Sequence, residues 1–513
     1  MAARKIAVFD TTLRDGEQAP GVTFSVEQKV AVARQLSKLG VDFVEAGTPI
    51  SSKGEKEAVG AVCREGRVRG GAKIAGLARI DTGDIDAALD CGVDMVHVFT
   101  PTSDIQVKHT VKLTREAILE KASECVEYVK DHGALCLFSA MDATRTPADY
   151  VVKIFRAVER AGADVVNIPD TVGVAVPETM EALARRVSRA VKIPVDVHCH
   201  NDYGLAGANT LAAVRAGASQ VQVTVNGIGE RGGNADLAQV VMALHTIYRH
   251  KTRVRTQHLV ETSKLLERFT SFRVLPNTPV VGANAFSHKS GIHQHGVLGD
   301  PRTFEPGIMT PEMVGHHRTI ALGKLSGKHG VAKKVQDMGF DMSPSQQREI
   351  LAKVKELGDR GRDVTDADLH TIAETVLGKV PPEKRALVLE EVSVTTGNRV
   401  TPRAAVRAKL QGRMVAATAG GVGPVDAAFA AIKKAAGNLD IAITDFRIDA
   451  ITGGSDALAD VTVGVADKRG HSVMARGVAD DIVMASVEAL VSAINRLLSR
   501  RAGNGSPAKK RGP

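Results

Sequence analysis

The sequence predicts an α/β protein: a TIM (β/α)8 barrel, then helical connecting subdomains, then a C-terminal α+β domain of duplicated βββα units. Three observations predict it. Short β-branched runs alternate with amphipathic helical stretches through the first half of the chain, and eight such units in about 250 residues is the barrel's number. A Gly-x-Asp-like tripeptide recurs four times in that stretch. A strand–strand–strand–helix pattern then occurs twice beyond Leu387.

The eight candidate strands are Lys5–Phe9, Phe43–Ala46, Lys73–Ala78, Met95–Phe99, Ala134–Phe138, Val165–Ile168, Val195–His198 and Gln220–Val225. Continuous apolar strands separated by helices imply a parallel sheet covered by helices. Gly40-Val41-Asp42, Gly92-Val93-Asp94, Gly162-Ala163-Asp164 and Gly217-Ala218-Ser219 fall before strands two, four, six and eight. Glycine there is the expected helix terminator, so this repeat is structural. A doubly wound sheet is the competing architecture, and a repeat running through all eight units disfavours it. From Pro276 to Pro382 the pattern changes to Gly- and His-rich loops, with helices at Ser345–Leu357 and Asp366–Leu377. Strand-like Glu391–Thr395, Ala404–Leu410 and Met414–Thr418 then precede helix Pro424–Ala435; Ile441–Ile448, Asp460–Val465 and Ser472–Arg476 precede helix Asp480–Leu498. The expected domains are a barrel over 1–275, connecting subdomains over 276–386, a C-terminal domain over 387–500 and a disordered tail over 501–513.

Composition narrows the function. A chain of 513 residues is too long for one core. Aromatics at 3%, with no Trp, exclude an aromatic-lined nucleic-acid platform. The net charge of +9 suits nucleic acid, a membrane surface or a polyanionic small molecule such as coenzyme A alike. Part of the excess lies in the tail cations Arg500, Arg501, Lys509, Lys510 and Arg511, read as a solvated end, so neither nucleic acid nor membrane is expected as a partner. The five cysteines form no CxxC pair and read as reduced thiols of a cytoplasmic protein. The N-terminus enters a strand without a signal peptide's apolar stretch, and no apolar run is long enough to span a bilayer.

Barrel enzymes place their chemistry at the C-terminal ends of the strands. Those ends here carry polar groups that a structural role does not need: Asp10-Thr11-Thr12-Leu13-Arg14-Asp15, Glu45, His97, Ser139, Asp170-Thr171, His198-Cys199-His200-Asn201-Asp202 and Asn226. His198 and His200 are two apart on a strand, so both imidazoles reach one ion. Asp15 is the best third ligand, because strands one and seven lie close around a closed barrel, and it completes an open three-ligand site. Cys199 faces the other way and reads as packing. Arg14, next to Asp15, is placed to stabilise an enolate or alkoxide; its bland alternative is an ion pair at the barrel mouth. The glycine-rich Asn226–Asn234 stretch offers backbone N–H groups to an anion, and its place after the last strand argues against a dinucleotide fold.

These residues resemble the acyl-transferring branch of the DRE-TIM metallolyase superfamily. Leu13-Arg14-Asp15-Gly16-Glu17-Gln18 with Lys29 is similar to the first signature of the isopropylmalate and homocitrate synthases. His198-Cys199-His200-Asn201-Asp202-Tyr203-Gly204-Leu205-Ala206 is similar to the second, and Gly227–Asn234 and Ser290-Gly291-Ile292-His293-Gln294 also fit. The resemblance implies a divalent ion (Zn, Mn or Mg) on Asp15, His198 and His200, with Asn234 completing or supporting the site. It implies Thr171, His97 and Ser139 as substrate contacts, Arg14 as oxyanion stabiliser and His293 as an aid to proton transfer. Acetyl-CoA would be the co-substrate of a 2-oxo acid, with a monovalent cation as a further activator. A homodimer and leucine binding at the C-terminal domain also follow from the resemblance. Two positions depart from it. The family's Ser-x-Glu-Asp is Ser139-Ala140-Met141-Asp142 here, and its tyrosine eleven residues after the connecting-region histidine is Phe304. Met cannot transfer a proton and Phe cannot donate a hydrogen bond, so rate or substrate should differ. The competing readings are a homocitrate or citramalate synthase, a carbon–carbon lyase of the same superfamily, and a metabolite sensor without catalysis.

Overall fold

The computed structural model describes residues 3–338, 340, 342–359, 364–377, 385–437, 440–450, 459–468, 472–479 and 481–503. They form two compact units, residues 1–287 with 305–319, and residues 288–304 with 320 onward.

The first unit is an eight-stranded, almost closed barrel. Its strands are β1 Ala7–Asp10, β2 Phe43–Glu45, β3 Lys73–Arg79, β4 Met95–Pro101, β5 Leu135–Met141, β6 Val165–Asp170, β7 Val195–Cys199 and β8 Gln220–Val223. Every hydrogen-bonded neighbour pair is parallel, in the order 7-6-5-4-3-2-1-8. Helices follow the strands and pack Val, Ile, Leu and Ala side chains on the outer face. Inside, Phe9, Ala75, Met95, Leu137 and Val165 fill the lower barrel.

Sequence explains the junctions. Helix Val26–Leu39 opens with a capping box, in which Gln28 N–H donates to Ser25 Oγ (3.2 Å) and Ser25 N–H to Gln28 Oε1 (2.9 Å). It closes at Gly40, left-handed at φ 96°, where a Cβ would meet Arg253 O at 2.6 Å. The recurring tripeptide has a physical purpose beyond ending helices. Asp42, Asp94 and Asp164 each donate a backbone N–H to the preceding strand, at Val8, Ile74 and Cys136. Each Oδ2 accepts the N–H of that same residue, at 2.9, 2.8 and 2.7 Å. In the fourth copy Ser219 replaces the aspartate; its N–H donates to Val195 O (2.9 Å), and no carboxylate closes the clasp.

That copy sits at the barrel's seam, because β7 and β8 are the two ends of the hydrogen-bonded order. At the rim, residues Gly233–Leu237 splice the ends together. Asn201 N–H donates to Gly233 O (2.8 Å), Ala235 N–H to Cys199 O (3.2 Å), Thr224 N–H to Ala235 O (3.1 Å) and Leu237 N–H to Thr224 O (2.9 Å). Gly233, at φ 87°, would place a Cβ 2.0 Å from Gly227 O, so only glycine fits this splice.

The second unit holds helices Gly291–Gly299, Lys328–Asp337, Pro344–Asp359 and Asp366–Leu377, with a core around Leu322, Val331, Ile350, Val354 and Leu369. The chain also forms two-residue strands β9 (Ser287–His288) and β10 (Thr319–Ile320). Two antiparallel sheets follow: β11 Leu387–Gly397, β12 Val400–Leu410 and β13 Arg413–Gly420; then β14 Ile441–Ala450, β15 Ala459–Asp467 and β16 Ser472–Ala479. Period-two burial of Ala404, Val406 and Ala408, and of Val461, Val463 and Val465, turns one face of each sheet onto helices Pro424–Ala435 and Ile482–Gly503, which share one core.

Several expected boundaries move. β5 reaches Met141, so Ser139 and Met141 share the face of the interior residue Leu137. β8 stops at Val223, where the chain turns into a 3-10 segment with Asn226 at φ 59°. The connecting region also forms helices Gly291–Gly299 and Lys328–Asp337. The last helix runs to Gly503, so residues 501–503 of the expected tail are helical; Pro382, Asp480 and residues 504–513 lie outside the described residues. No helix among the described residues is long and apolar enough to cross a membrane.

Candidate metal centre

The barrel rim gathers the residues named from the sequence. Parallel pairing puts the ends of β1 and β8 side by side, and the turn after β1 brings Asp15 to the end of β7. His198 Nε2 and His200 Nε2 lie 2.9 Å apart, and Asp15 Oδ2 lies 2.9 and 3.3 Å from them. Three donor atoms at roughly 3 Å have the spacing of adjacent ligands on an ion with bonds of about 2.1 Å. Asp15 Oδ2 and Asn234 Oδ1 are buried without an aligned donor, as oxygens meant for a cation would be. Among the described residues Asp15, His198 and His200 form a three-ligand group, so the residues present fit a divalent ion. Asn234 bridges to His200 as a backbone pair and turns its amide N–H to Ile228 O (3.1 Å).

The electrostatics agree. Burial works to raise the Asp15 carboxyl, but Arg14 and the two imidazoles outweigh it and hold it well below the usual range. Burial pushes His198 down, toward the neutral form that ligates metals. Cys199 is buried on the opposite face, its thiol pushed up by burial, which leaves it as packing.

A hydrogen-bonded line runs from the centre across the barrel mouth. Arg14 Nη1 is 3.5 Å from Asp15 Oδ2, and its Nε donates to Glu45 Oε2 (2.6 Å). Glu45 Oε1 meets His97 Nδ1 at 2.5 Å, and His97 Nε2 meets Ser139 Oγ at 2.6 Å. Burial raises Glu45, yet Arg14 and His97 bring it down to about 2. Phe9 of the interior cluster packs T-shaped against the His97 ring, 6.0 Å between centroids. Thr171 Oγ1 accepts from Asp142 N–H (2.9 Å), which leaves its own hydrogen to donate outward.

The structure thus joins Asp15, His198, His200, Asn234, Arg14, His97 and Ser139, and reaches Thr171 through Arg231, whose Nη2 touches both Thr171 O and His200 Nδ1 at 2.9 Å. His293 and Phe304 pair within the other unit, rings stacked at 4.1 Å and 22°. Met141 follows Ser139 on the same face of β5. Sequence reading passed over Glu45 as a working residue, and missed Arg231, Asp196, Gln222 and Asn167. A signal existed for the strand residues: Asp196, His198 and His200, and Gln220, Gln222 and Thr224, alternate on strands whose other residues are mostly apolar.

A parallel eight-stranded barrel with this cluster at its C-terminal rim defines an enzyme of the DRE-TIM superfamily. Comparison with known proteins narrows the class. Residues 5–266 match the HMGL-like family, 280–362 the homocitrate synthase post-HMGL domain-like family, and 363–498 the LeuA allosteric (dimerisation) domain. An Archaeoglobus fulgidus protein named "Probable 2-isopropylmalate synthase" is 56% identical over 96% of this chain and 97% of its own. The Methanocaldococcus jannaschii 2-isopropylmalate synthase is 47% identical over 97% and 95%. A Methanothermobacter thermautotrophicus relative that carries an (R)-citramalate synthase name is 46% identical over 98% and 100%. The solved Bacillus subtilis HMG-CoA lyase matches the barrel fold, with TM-score 0.50 and 19% identity over 54% of this chain and 97% of its own. The chain belongs to the 2-isopropylmalate synthase and homocitrate synthase family.

Proposed function

We propose that the chain is a 2-isopropylmalate synthase, which condenses acetyl-CoA with 2-oxoisovalerate, hydrolyses the thioester and is feedback-inhibited by leucine. The observation that carries this reading is the Asp15–His198–His200 cluster beside an Arg14 locked onto Glu45, in a chain with full-length relatives of that name. Asp15, His198, His200 and Asn234 would hold the ion, which when bound supplies Lewis acidity to the 2-oxo acid.

The protein's own groups do the rest. The acetyl methyl loses a proton, its carbon bonds the 2-oxo carbon, and the ketone oxygen gains negative charge and then a proton. Arg14 faces that charge from a fixed position, which is worth more in a buried site than in water. Thr171 donates its free hydrogen to the substrate carboxylate. His97 and Ser139 contact the substrate, and His293, by the family pattern, assists proton transfer. Water then adds to the thioester carbonyl, the C–S bond breaks and CoA leaves as the thiol. The match of residues 363–498 to a dimerisation domain supports a homodimer and the leucine site.

A citramalate synthase is the second reading, supported by full-length relatives of that name at 44 to 46% identity. Thiol release with acetyl-CoA and a panel of 2-oxo acids tests both. The proposal expects release that depends on 2-oxoisovalerate. Preference for pyruvate would transfer the protein to the second reading, and no oxo-acid-dependent release would reject both.

A further inference from the structure

Behind His198 lies a chain of buried polar side chains that the proposed chemistry does not use. His198 Nδ1 faces Gln222 Oε1 at 2.9 Å. Gln222 Nε2 donates to Asp196 Oδ2 at 2.6 Å, and Asn167 Nδ2 donates to the same oxygen at 2.8 Å. Asp196 Oδ1 accepts Val197 N–H at 2.9 Å. All three side chains are nearly or wholly inaccessible. They sit inside the barrel by register: Asn167 pairs with Asp196 between β6 and β7, and Asp196 shares a face with His198.

The hydrogen-bond senses propagate in one direction. Burial pushes the Asp196 carboxyl up to about 7, while N–H donors from Gln222, Asn167 and Val197 favour its ionised form; as a carboxylate it only accepts, so it requires the amide nitrogen of Gln222 to face it. The Gln222 oxygen must then face His198. That oxygen also only accepts, so the ring proton sits on Nδ1 and the Nε2 lone pair points at Asp15 and His200. A flipped Gln222 would set its oxygen against the Asp196 carboxylate and its N–H₂ against the ring. We infer that Gln222, oriented by Asp196 and Asn167, is a positioning residue that fixes the tautomer and ring plane of His198 so that Nε2 is the atom offered to a divalent cation. The inference rests on the metal-centre reading. Its logic is that of metal-binding histidines generally, whose second nitrogen is anchored by an acceptor, with loss of the anchor weakening affinity roughly 10- to 100-fold. Here an amide is inserted between ring and carboxylate, and it relays orientation without bringing a second negative charge to the ring.

Two substitutions of nearly unchanged volume test it. Gln222→Met removes the acceptor, and Asp196→Asn removes the demand that orients Gln222. Mn²⁺ binding to the full chain is followed by loss of the free-ion electron paramagnetic resonance signal. The His198 tautomer is read from ¹⁵N shifts of histidine-labelled, ion-free protein. Wild type is expected to show the Nδ1–H form of His198 and one Mn²⁺ site that Asp15→Asn abolishes. Both substitutions should weaken that site about 10- to 100-fold and mix the tautomers, with unchanged circular dichroism. If wild type binds Mn²⁺ and both variants match it in affinity and tautomer, the positioning role is overturned while the metal centre stands. If wild type shows no site sensitive to Asp15→Asn, the metal centre itself falls.

Discussion

His198 and His200 meet at their Nε2 atoms, 2.9 Å apart, yet the far nitrogen of each ring faces a partner of opposite kind. His198 Nδ1 faces the acceptor Gln222 Oε1, whereas His200 Nδ1 faces Arg231 Nη2, and a guanidinium only donates. An uncharged His200 therefore carries its proton on Nε2, toward the other two ligand atoms. To ligate through Nε2 it must move that proton to Nδ1 and lose its bond to Arg231.

Arg231 thus competes with a cation, through its hydrogen bond and its like charge. Arg231→Met is expected to tighten Mn²⁺ binding several-fold in equilibrium titration. Unchanged or weaker binding would show that the guanidinium does not oppose the ion.

Glu45 anchors Arg14 and His97 with two oxygens. Glu45→Gln removes the carboxylate charge that pairs with the guanidinium, so Arg14 loses the ionic partner that fixes its aim. Steady-state kinetics should show kcat lowered by about 100- to 1,000-fold, the scale of losing one preorganised charge-stabilising donor, with a much smaller change in KM for the oxo acid. A change confined to KM would make Glu45 a binding residue only.

Asp10 gives a pH-dependent stability with a definite sign. Burial lifts its carboxyl to about 7, helped slightly by Glu45 and opposed by the Thr12 N–H. A carboxyl higher in the folded than in the unfolded state binds protons more tightly when folded, so its contribution to stability falls as pH rises from about 4 through 7. Asp10→Asn removes that dependence. The stability of the variant relative to wild type, from denaturant midpoints, should rise by up to about 4 kcal/mol between pH 4 and pH 8. A constant difference would refute the shift.

Met141 and Phe304 should slow or redirect the enzyme without abolishing it. The polarising groups all remain, and a missing general acid or base typically costs roughly 100- to 10,000-fold. Met141→Glu restores a carboxylate on the face of β5 that carries Ser139, and Phe304→Tyr adds a hydroxyl to the ring stacked on His293. Raised kcat with 2-oxoisovalerate is expected. Two silent reversions in an enzyme of ordinary rate would remove any catalytic meaning from these departures.

Residues from Leu387 onward have a hydrophobic core separate from that of the preceding helices. A chain ending at Ala386 is expected to keep some turnover and lose leucine inhibition. Equal inhibition of both forms would remove the regulatory role from this domain.

Much of this was legible in the sequence, and the reasons are local. A strand's period of two put His198 and His200 on one side, and the barrel's eight repeats put Asp15 near them. The clasp formed by Asp42, Asp94 and Asp164 was visible as a repeat, though its bonding was not, because which residue a carboxylate reaches depends on strand register. The same limit hid Gln222, whose importance comes from a neighbour on β7, and Arg231, which returns to His200 from a loop 31 positions along the chain. Sequence spacing reports faces of one element well; it reports pairings between elements poorly.

The barrel's weak edge and its chemistry occupy the same place. The clasp lacks its carboxylate at Ser219, and the ring is completed by residues Gly233–Leu237, which also deliver Asn234 to His200. A molecule whose ring has not yet shut therefore has no finished site to offer. Opening that seam would part Asn234 from His200 while leaving the hydrogen-bonded order from β7 round to β8 intact.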